Sequence, residues 1–174
     1  VAALYDKADQ PVQQWAMNAA SSLYLGFLLS HFITLRLLPA GLQWTLAALT
    51  LTWVYDAAAF FIGSRLGRHK LWPRISPKKS WEGLVGGTLA ILIVGPLLGQ
   101  WLLDIGPWRG LWLAALVALA APFGDFAISL FKRTAHAKDS GHLIPGHGGV
   151  LDRLDSLLFT FPVVAYFAIF SLGG

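Results

Sequence analysis

Residues 83–103 read GLVGGTLAILIVGPLLGQWLL, an apolar stretch without a charged side chain. At about 1.5 Å per residue, a helix of this length crosses the roughly 30 Å hydrocarbon core of a bilayer. The glycines, the proline and the glutamine do not interrupt the apolar character of the stretch. It therefore predicts a membrane-spanning helix, and the rest of the chain is interpreted around it.

The composition of the whole chain also indicates a membrane protein. Of its 174 residues, 56% are hydrophobic and only 13% are charged, whereas a soluble domain carries roughly 25% charged residues. Folded in water, the chain would have to hide most of its apolar residues in a core too small for them. Disorder is excluded because disordered chains are polar and highly charged. The absence of cysteine excludes thiol catalysis, disulfides and cysteine-ligated metal sites.

Four further apolar runs have the length of a transmembrane helix. The five predicted spans are Ser21–Leu38, Gly41–Gly63, Gly83–Leu103, Gly110–Phe131 and Ser156–Leu172. The first is the weakest, because His31 and Arg36 interrupt it. We expect residues 1–20 to form a short helix in the membrane interface. The sequence thus predicts an all-α, polytopic membrane protein in which residues 1–174 form one embedded catalytic domain.

Basic residues are concentrated on one predicted side of the membrane. Six lysines and arginines lie between Arg65 and Lys79, and four more lie between the fourth and fifth spans. The opposite side carries only Arg36 and Arg109. Because lysine and arginine collect in cytoplasmic loops, we predict a multi-pass protein of the inner (cytoplasmic) membrane. Both basic loops would face the cytoplasm, and the net charge of +4 does not require nucleic acid.

Two aspartates lie inside predicted spans, where an ionised carboxylate costs a few kcal/mol and is usually paired, hydrated or bound to a cation. Asp56 and Asp125 lie about 10 Å and about 9 Å from the basic ends of their spans. Asp152 and Asp155 stand three residues apart at the start of the fifth span, and Ser129 follows Asp125 by one turn. These oxygen ligands suit Mg²⁺. Pairing of individual acids with lysine or arginine is the alternative.

Two short stretches offer groups that bind phosphate. Residues 76–87, SPKKSWEGLVGG, contain Lys78 and Lys79, and Ser80 is placed to cap the third helix. Residues 145–149, PGHGG, allow the backbone to approach a ligand closely. Two other interpretations stay open: the lysines could hold anionic lipid headgroups, and the glycines could simply form a tight turn.

Residues 129–155, SLFKRTAHAKDSGHLIPGHGGVLDRLD, resemble the hallmark motif of the phosphatidate cytidylyltransferase (CDP-diacylglycerol synthase) family. That motif runs Ser-x-x-Lys-Arg, four residues, Lys-Asp, then Pro-Gly-His-Gly-Gly and Asp-Arg-x-Asp, and every element is present. Residues 76–83 and 56–63 also resemble this family. The resemblance covers about residues 52–161. Because family members usually carry more transmembrane helices before this region, the chain is expected to be the C-terminal catalytic part.

The resemblance implies transfer of a cytidylyl group from CTP to phosphatidate, which gives CDP-diacylglycerol and pyrophosphate. The cofactor would be Mg²⁺, with a second cation left open. The implied metal ligands are Asp125, Ser129 and Asp152, with Asp155 and Asp56 as supports. Catalytic and substrate-binding roles are implied for Asp125, Asp152, Asp155, Lys132, Arg133, His147, Lys78, Lys79, Ser80, Lys138, Gly148, Gly149 and Arg153. Asp139 would order Lys138 or bind the metal.

The expected partners are CTP, phosphatidate and the lipid bilayer, without nucleic acid, and a homodimer is left open as the assembly. Two other functions also stay open. The first is cytidylyl transfer to another membrane lipid phosphate, which the motif does not distinguish. The second is a cation-coupled transporter, which we disfavour because the chain shows no internal repeat and its acids lie toward one membrane face. Zinc at His136, His142 and His147 is disfavoured because the carboxylates suit a harder cation.

Overall fold

The computed structural model describes residues 11–73, 76–134 and 151–173, most of which are helical. The long helices are α1 (Pro11–Leu37), α2 (Gly41–Leu66), α3 (Trp81–Trp101), α4 (Pro107–Thr134) and α5 (Leu151–Gly173). Within the described ranges, five helices are long and apolar enough to cross a membrane. The predicted all-α, polytopic fold is therefore confirmed.

Each predicted span coincides with one helix. All the helices except α2 begin before the predicted span, and α1 and α3 end one and two residues before it does. Helix α1 begins at Pro11, so residues 11–20 are continuous with the first span. Residues 1–10 lie outside the described part of the chain, and the interfacial position of this segment stays a prediction. Helix α5 begins at Leu151, which places Asp152 and Asp155 within the helix.

A β-hairpin between α2 and α3 was not predicted from the sequence, which indicated only a basic loop there. Its strands are β1 (Lys70–Trp72) and β2 (Ser76–Ser80), paired antiparallel with Lys70 opposite Ser80 and Trp72 opposite Ser76. The Trp72 ring lies 4.3 Å from the Phe126 ring, centroid to centroid. This aromatic contact packs the hairpin against α4.

The helices pack mainly against their neighbours in sequence. Helix α3 contacts α2 and α4, α4 contacts α5, and α5 returns to contact α1 and α2. The shared core contains Trp44, Leu51, Ile91, Leu113 and Val164, all of which are buried. Many other large apolar side chains are exposed, among them Leu89, Ile93, Leu119 and Phe170. An apolar outer surface around a packed interior fits a bundle surrounded by lipid.

Helices α2 and α3 approach each other closely beside the hairpin. A Cβ atom on Gly83 would lie 2.7 Å from the Ala59 carbonyl oxygen and 3.2 Å from the Gly63 Cα. Small residues let transmembrane backbones approach in this way. Because α3 starts directly after β2, this crossing also fixes where the hairpin leaves the bundle.

One end of the bundle collects the end of α2, the hairpin, the start of α3, the end of α4 and the start of α5. We call it the hairpin end. The opposite end carries the short connections Leu38–Ala40 and Leu102–Gly106. Arg36 and Arg109 lie near that opposite end, so the described helices keep the charge asymmetry seen in the sequence.

Candidate active site at the hairpin end

The structure places the predicted site residues that it describes at the hairpin end. Asp56 lies on α2, Lys78, Lys79 and Ser80 lie on β2, and Asp125 and Ser129 lie on α4. Lys132 and Arg133 belong to the last turn of α4, and Asp152, Arg153 and Asp155 belong to the first turns of α5. Four predicted residues lie outside the described residues: Lys138, His147, Gly148 and Gly149.

An ion pair joins the hairpin to α4. The Lys79 ammonium contacts the Asp125 carboxylate through Oδ2, and the two side chains are 24% and 29% exposed. Ser129 donates a hydrogen bond from Oγ to the other carboxylate oxygen, Asp125 Oδ1, at 3.3 Å. The predicted pairing of Asp125 with Ser129 on one helix face is therefore present. The Lys79 contact also shows that an intraspan acid is paired with lysine, as the alternative interpretation allowed.

A second pair of carboxylates meets where α2 and α5 pack together. Ser156 donates from Oγ to Asp56 Oδ1 at 3.2 Å, and the same hydroxyl lies 3.5 Å from Asp155 Oδ1. The backbone N–H of Ser156 donates to Asp155 Oδ1 at 2.7 Å. Ser156 itself is buried, whereas Asp56 is exposed and Asp155 is half-buried. One residue thus contacts acids from two different helices.

The two halves of the site belong to one electrostatic neighbourhood. The Asp56 carboxylate lies within electrostatic reach of Asp155, Asp125 and Lys79. Asp56 on α2 is therefore influenced by groups on α4, α5 and the hairpin, and two of these, Lys79 and Asp125, form an ion pair. This convergence agrees with the predicted meeting of Asp56 and Asp125 near the same end of the bundle.

A close backbone contact between α4 and α5 supports this arrangement. A Cβ atom on Gly124 would overlap the Asp155 carbonyl oxygen and lie 3.2 Å from the Ser156 Cα. Gly124 directly precedes Asp125 in the chain. The absence of a side chain at this position therefore lets α5 bring Asp155 and Ser156 next to the α4 carboxylate.

The start of α3 anchors the hairpin. Ser80, which is buried, accepts a hydrogen bond from the Gly83 N–H at 3.2 Å and so caps the helix as predicted. Glu82 reaches back to His69, whose N–H and Nδ1 lie 3.1 and 2.6 Å from Glu82 Oε1. Lys78 is exposed, whereas its neighbour Lys79 points to Asp125. Alternation along a strand separates the two lysines onto opposite faces.

The carboxylate and hydroxyl oxygens of this region suit a hard cation, but the described side chains do not form a complete metal site by themselves. Among the side chains that the structure describes, no group of three acids or histidines is arranged to hold a metal ion. The available oxygens come from Asp56, Asp125 and Asp155, with hydroxyls from Ser129 and Ser156. Asp152 lies in the turn of α5 that precedes Asp155. This chemistry fits a cation that takes a few carboxylates together with water and substrate phosphates.

Two features of this site were not predicted from the sequence. Ser156 was not singled out, because a serine after an aspartate carries no signal and its partner Asp56 is distant in the chain. The Trp72–Phe126 contact was missed because a tryptophan next to a predicted span fits the membrane interface without any packing partner. The position of Phe126 directly after Asp125 is the one clue that the sequence offered.

Fold and site together define an integral membrane protein that presents clustered acids and lysines at one end of a helical bundle, the arrangement expected of an enzyme acting on anionic groups at a membrane surface. The chain belongs to the cytidylyltransferase family, whose sequence model matches residues 1–171.

Individual relatives agree with this membership. A phosphatidate cytidylyltransferase of Staphylococcus epidermidis is 40% identical over 156 residues, which are 85% of this chain and 58% of the relative. A phosphatidate cytidylyltransferase of Staphylococcus aureus is 40% identical over 154 residues, with the same coverage of 85% and 58%. An uncharacterized Escherichia coli protein, YnbB, is 38% identical over 161 residues, or 87% of this chain and 54% of YnbB. The chain thus spans little more than half the length of these relatives.

Proposed function

We propose that the protein transfers the cytidylyl group of CTP to phosphatidate and releases pyrophosphate. The observation that carries this proposal is the convergence of Lys79 with Asp125, and of Asp56 with Asp155, at the hairpin end of a membrane bundle. Family membership and relatives named phosphatidate cytidylyltransferase support the same reaction.

The location of the site suits one reactant from each phase. Phosphatidate is held in the bilayer by its acyl chains, so its phosphate lies at headgroup level. CTP arrives from water. The carboxylates lie in the halves of their helices nearer the hairpin end, whereas the hairpin carries Lys78 and Lys79 outside the spans. Both phosphate groups can therefore be bound without taking either reactant out of its own phase.

In the proposed reaction, an oxygen of the phosphatidate phosphate attacks the α-phosphorus of CTP. A new P–O bond forms there while the bond from the α-phosphorus to the bridging oxygen of the β-phosphate breaks, and pyrophosphate leaves with that electron pair. Because phosphatidate supplies the nucleophile, no covalent enzyme intermediate is needed. Catalysis then consists of aligning two anions and offsetting their charge.

The basic residues are assigned to this charge compensation. We assign Lys79 to the triphosphate beside the acids and the exposed Lys78 to the outer side of the nucleotide or to lipid headgroups. The other basic residues of the motif complete the set: Lys132, Arg133, Lys138 and Arg153. We assign His147, Gly148 and Gly149 to the nucleotide site on the motif alone.

We further propose Mg²⁺ as the cofactor, held by Asp125, Ser129 and Asp152 with Asp56 and Asp155 in support. When bound, the ion would offset charge on the reacting phosphates. Ser129, which donates to Asp125, holds that carboxylate in place. The Asp56–Ser156–Asp155 contacts hold the second pair of carboxylates near it.

We propose that the hairpin end faces the cytoplasm, since the basic residues of the described helices concentrate there. The absence of native cysteine makes a direct test possible. Lys78→Cys should react with a membrane-impermeant maleimide only after the inner membrane is opened. Asp104→Cys, at the other end of the bundle, should react in intact spheroplasts. The reverse pattern would overturn this orientation.

The activity is tested with the purified full-length protein in mixed micelles of phosphatidate and detergent. Labelled CTP and Mg²⁺ should give CDP-diacylglycerol and an equal amount of pyrophosphate, and chelation should stop both. A panel of other lipid phosphates, including isoprenoid ether lipids, separates phosphatidate from the alternative acceptors. Product with another lipid phosphate and none with phosphatidate would reassign the substrate. Cation flux in liposomes without any nucleotide product would favour the transporter instead.

A homodimer stays a prediction, and light scattering on the detergent-solubilised protein measures its mass directly.

A further inference from the structure

Ser156 supplies two hydrogen-bond donors to two acids on different helices. Its N–H contacts Asp155 Oδ1 at 2.7 Å, and its Oγ contacts Asp56 Oδ1 at 3.2 Å. The residue is only 3% exposed, so its hydroxyl is not competing with bulk water for partners. Hydrogen bonds with an ionised partner are stronger than neutral ones.

The direction of this hydroxyl distinguishes it from other buried hydroxyls of the bundle. Thr160 Oγ1 donates to the Ser156 carbonyl oxygen at 3.0 Å, and Thr52 Oγ1 donates to the Ala48 carbonyl oxygen at 2.8 Å. Both are contacts within one helix, made with the carbonyl four residues earlier. The Ser156 hydroxyl instead crosses from α5 to α2. Its role is therefore not explained by helix geometry.

The acids that Ser156 joins repel each other when both are ionised. Asp56 Oδ1 and Asp155 Oδ1 lie 3.2 and 3.5 Å from the same Ser156 Oγ, and the backbones of α4 and α5 are in close contact beside them at Gly124. Holding two carboxylates together is costly unless donors or a cation offset their charge. Ser156 provides the donors, and the pair that results is suited to share a divalent cation.

We propose that Ser156 is a positioning residue, which holds Asp56 beside Asp155 so that the two carboxylates act together on a divalent cation. This inference rests on the proposed function, which supplies the cation. Ser156 does not touch the reacting phosphates in this account; it acts through Asp56. The role resembles that of outer-shell groups that orient metal-binding carboxylates, whose loss typically costs 10–100-fold in metal affinity or activity.

The two donors of Ser156 can be separated by mutation. Ser156→Ala removes the hydroxyl but keeps the N–H. Asp155 then retains its 2.7 Å hydrogen bond and loses only the long 3.5 Å contact, while Asp56 loses its donor. Thr160→Val is the matched control. It removes a buried hydroxyl one turn away on the same helix, and that hydroxyl contacts only a backbone carbonyl. Ser156→Thr keeps the hydroxyl and tests for rescue.

Cation binding is measured with Mn²⁺ by electron paramagnetic resonance on the detergent-solubilised full-length protein, without substrates. We expect the dissociation constant of Mn²⁺ to rise about tenfold in S156A and to stay within about twofold of wild type in T160V. S156T should recover most of the affinity. In an Asp56→Asn background, S156A should raise the dissociation constant of Mn²⁺ by less than about twofold further, because the carboxylate through which Ser156 acts is already gone.

The inference would be overturned if S156A bound Mn²⁺ with wild-type affinity. It would also be overturned if S156A lowered the Mn²⁺ affinity equally with and without Asp56→Asn. Active wild-type protein that binds no Mn²⁺ would overturn it too. If S156A does not fold, Ser156→Cys replaces it, since a thiol fits the space but donates weakly. If the wild-type protein makes no nucleotide product, the proposed function is refuted instead. If the wild-type protein is active and S156A binds Mn²⁺ as tightly as wild type, only this inference is refuted.

Discussion

The Lys79 ammonium of the hairpin and the Asp125 carboxylate of α4 form an ion pair at the hairpin end of the bundle. The two residues were assigned to different ligands, Lys79 to phosphate and Asp125 to a metal ion. Under the proposed function, their contact would bring both ligands within reach of the same few atoms. It also means that the hairpin, a segment outside the spans, forms one wall of the site.

This contact predicts that the two hairpin lysines are not equivalent. Lys79→Ala should lower kcat/KM for CTP by about tenfold or more, the usual cost of losing a charge-assisted hydrogen bond. Lys78→Ala is the matched control at the adjacent, exposed position and should change kcat/KM for CTP by about threefold or less. Steady-state kinetics at saturating phosphatidate measure both. An equal effect of the two substitutions would contradict the assignment of Lys79 to the site.

Asp125 is predicted to be indispensable. Asp125→Asn keeps the shape of the side chain and an acceptor for Ser129, but it removes the charge that meets Lys79 and the proposed cation. Product formation should fall by about a hundredfold or more. Asp104→Asn, on the opposite end of the bundle, should retain full activity. Activity in D125N comparable with that of D104N would remove Asp125 from the site.

Gly124 is predicted to tolerate no side chain. In Gly124→Ala the new methyl would overlap the Asp155 carbonyl oxygen, so α5 must shift, and the expected loss is about 1–3 kcal/mol of stability. Gly26→Ala is the control, since a Cβ there meets no atom within 4 Å. That change should be neutral or should stabilise by up to about 1 kcal/mol. Thermal unfolding in detergent measures both, and a neutral G124A would refute the close packing.

The Trp72–Phe126 contact is predicted to hold the hairpin on α4. Trp72→Ala removes an aromatic pair of the kind that contributes about 0.5–1.5 kcal/mol. Trypsin should then cleave the basic hairpin several-fold faster, while the spans stay protected. Trp101→Ala, an exposed tryptophan at the opposite end, is the control and should leave the cleavage rate unchanged. Unchanged proteolysis in W72A would show that the other hairpin contacts, Lys79 with Asp125 and Glu82 with His69, hold the hairpin without this ring.

The sequence predicted the five spans well because a bilayer requires long apolar helices, and residues such as those at 83–103 leave no other interpretation. It did not predict the hairpin. Strands β1 and β2 are short and rich in lysine, and Pro77 within β2 argues against a strand. Their pairing depends on contacts with α3 and α4, such as Trp72 on Phe126, that only the fold creates.

For the site, the sequence placed the acids and lysines at one end of the bundle but not in contact with particular partners. Depth along a helix follows from counting residues, so Asp56 and Asp125 could be assigned to the same level. Rotation about the helix axis does not follow from counting. The choice of Lys79 over Lys78 for Asp125, and of Ser156 as the link to Asp56, depends on that rotation and on the hairpin.

The main-chain contact at Gly124 has a consequence for how this protein meets different membranes. Since backbone atoms set the gap between α4 and α5 there, the spacing of the carboxylates does not depend on the side chains that face lipid. The outer surface can therefore change to match a thicker, thinner or more fluid bilayer without disturbing the chemistry inside. Adaptation to temperature or lipid composition is expected to concentrate on that outer surface and to spare the glycine.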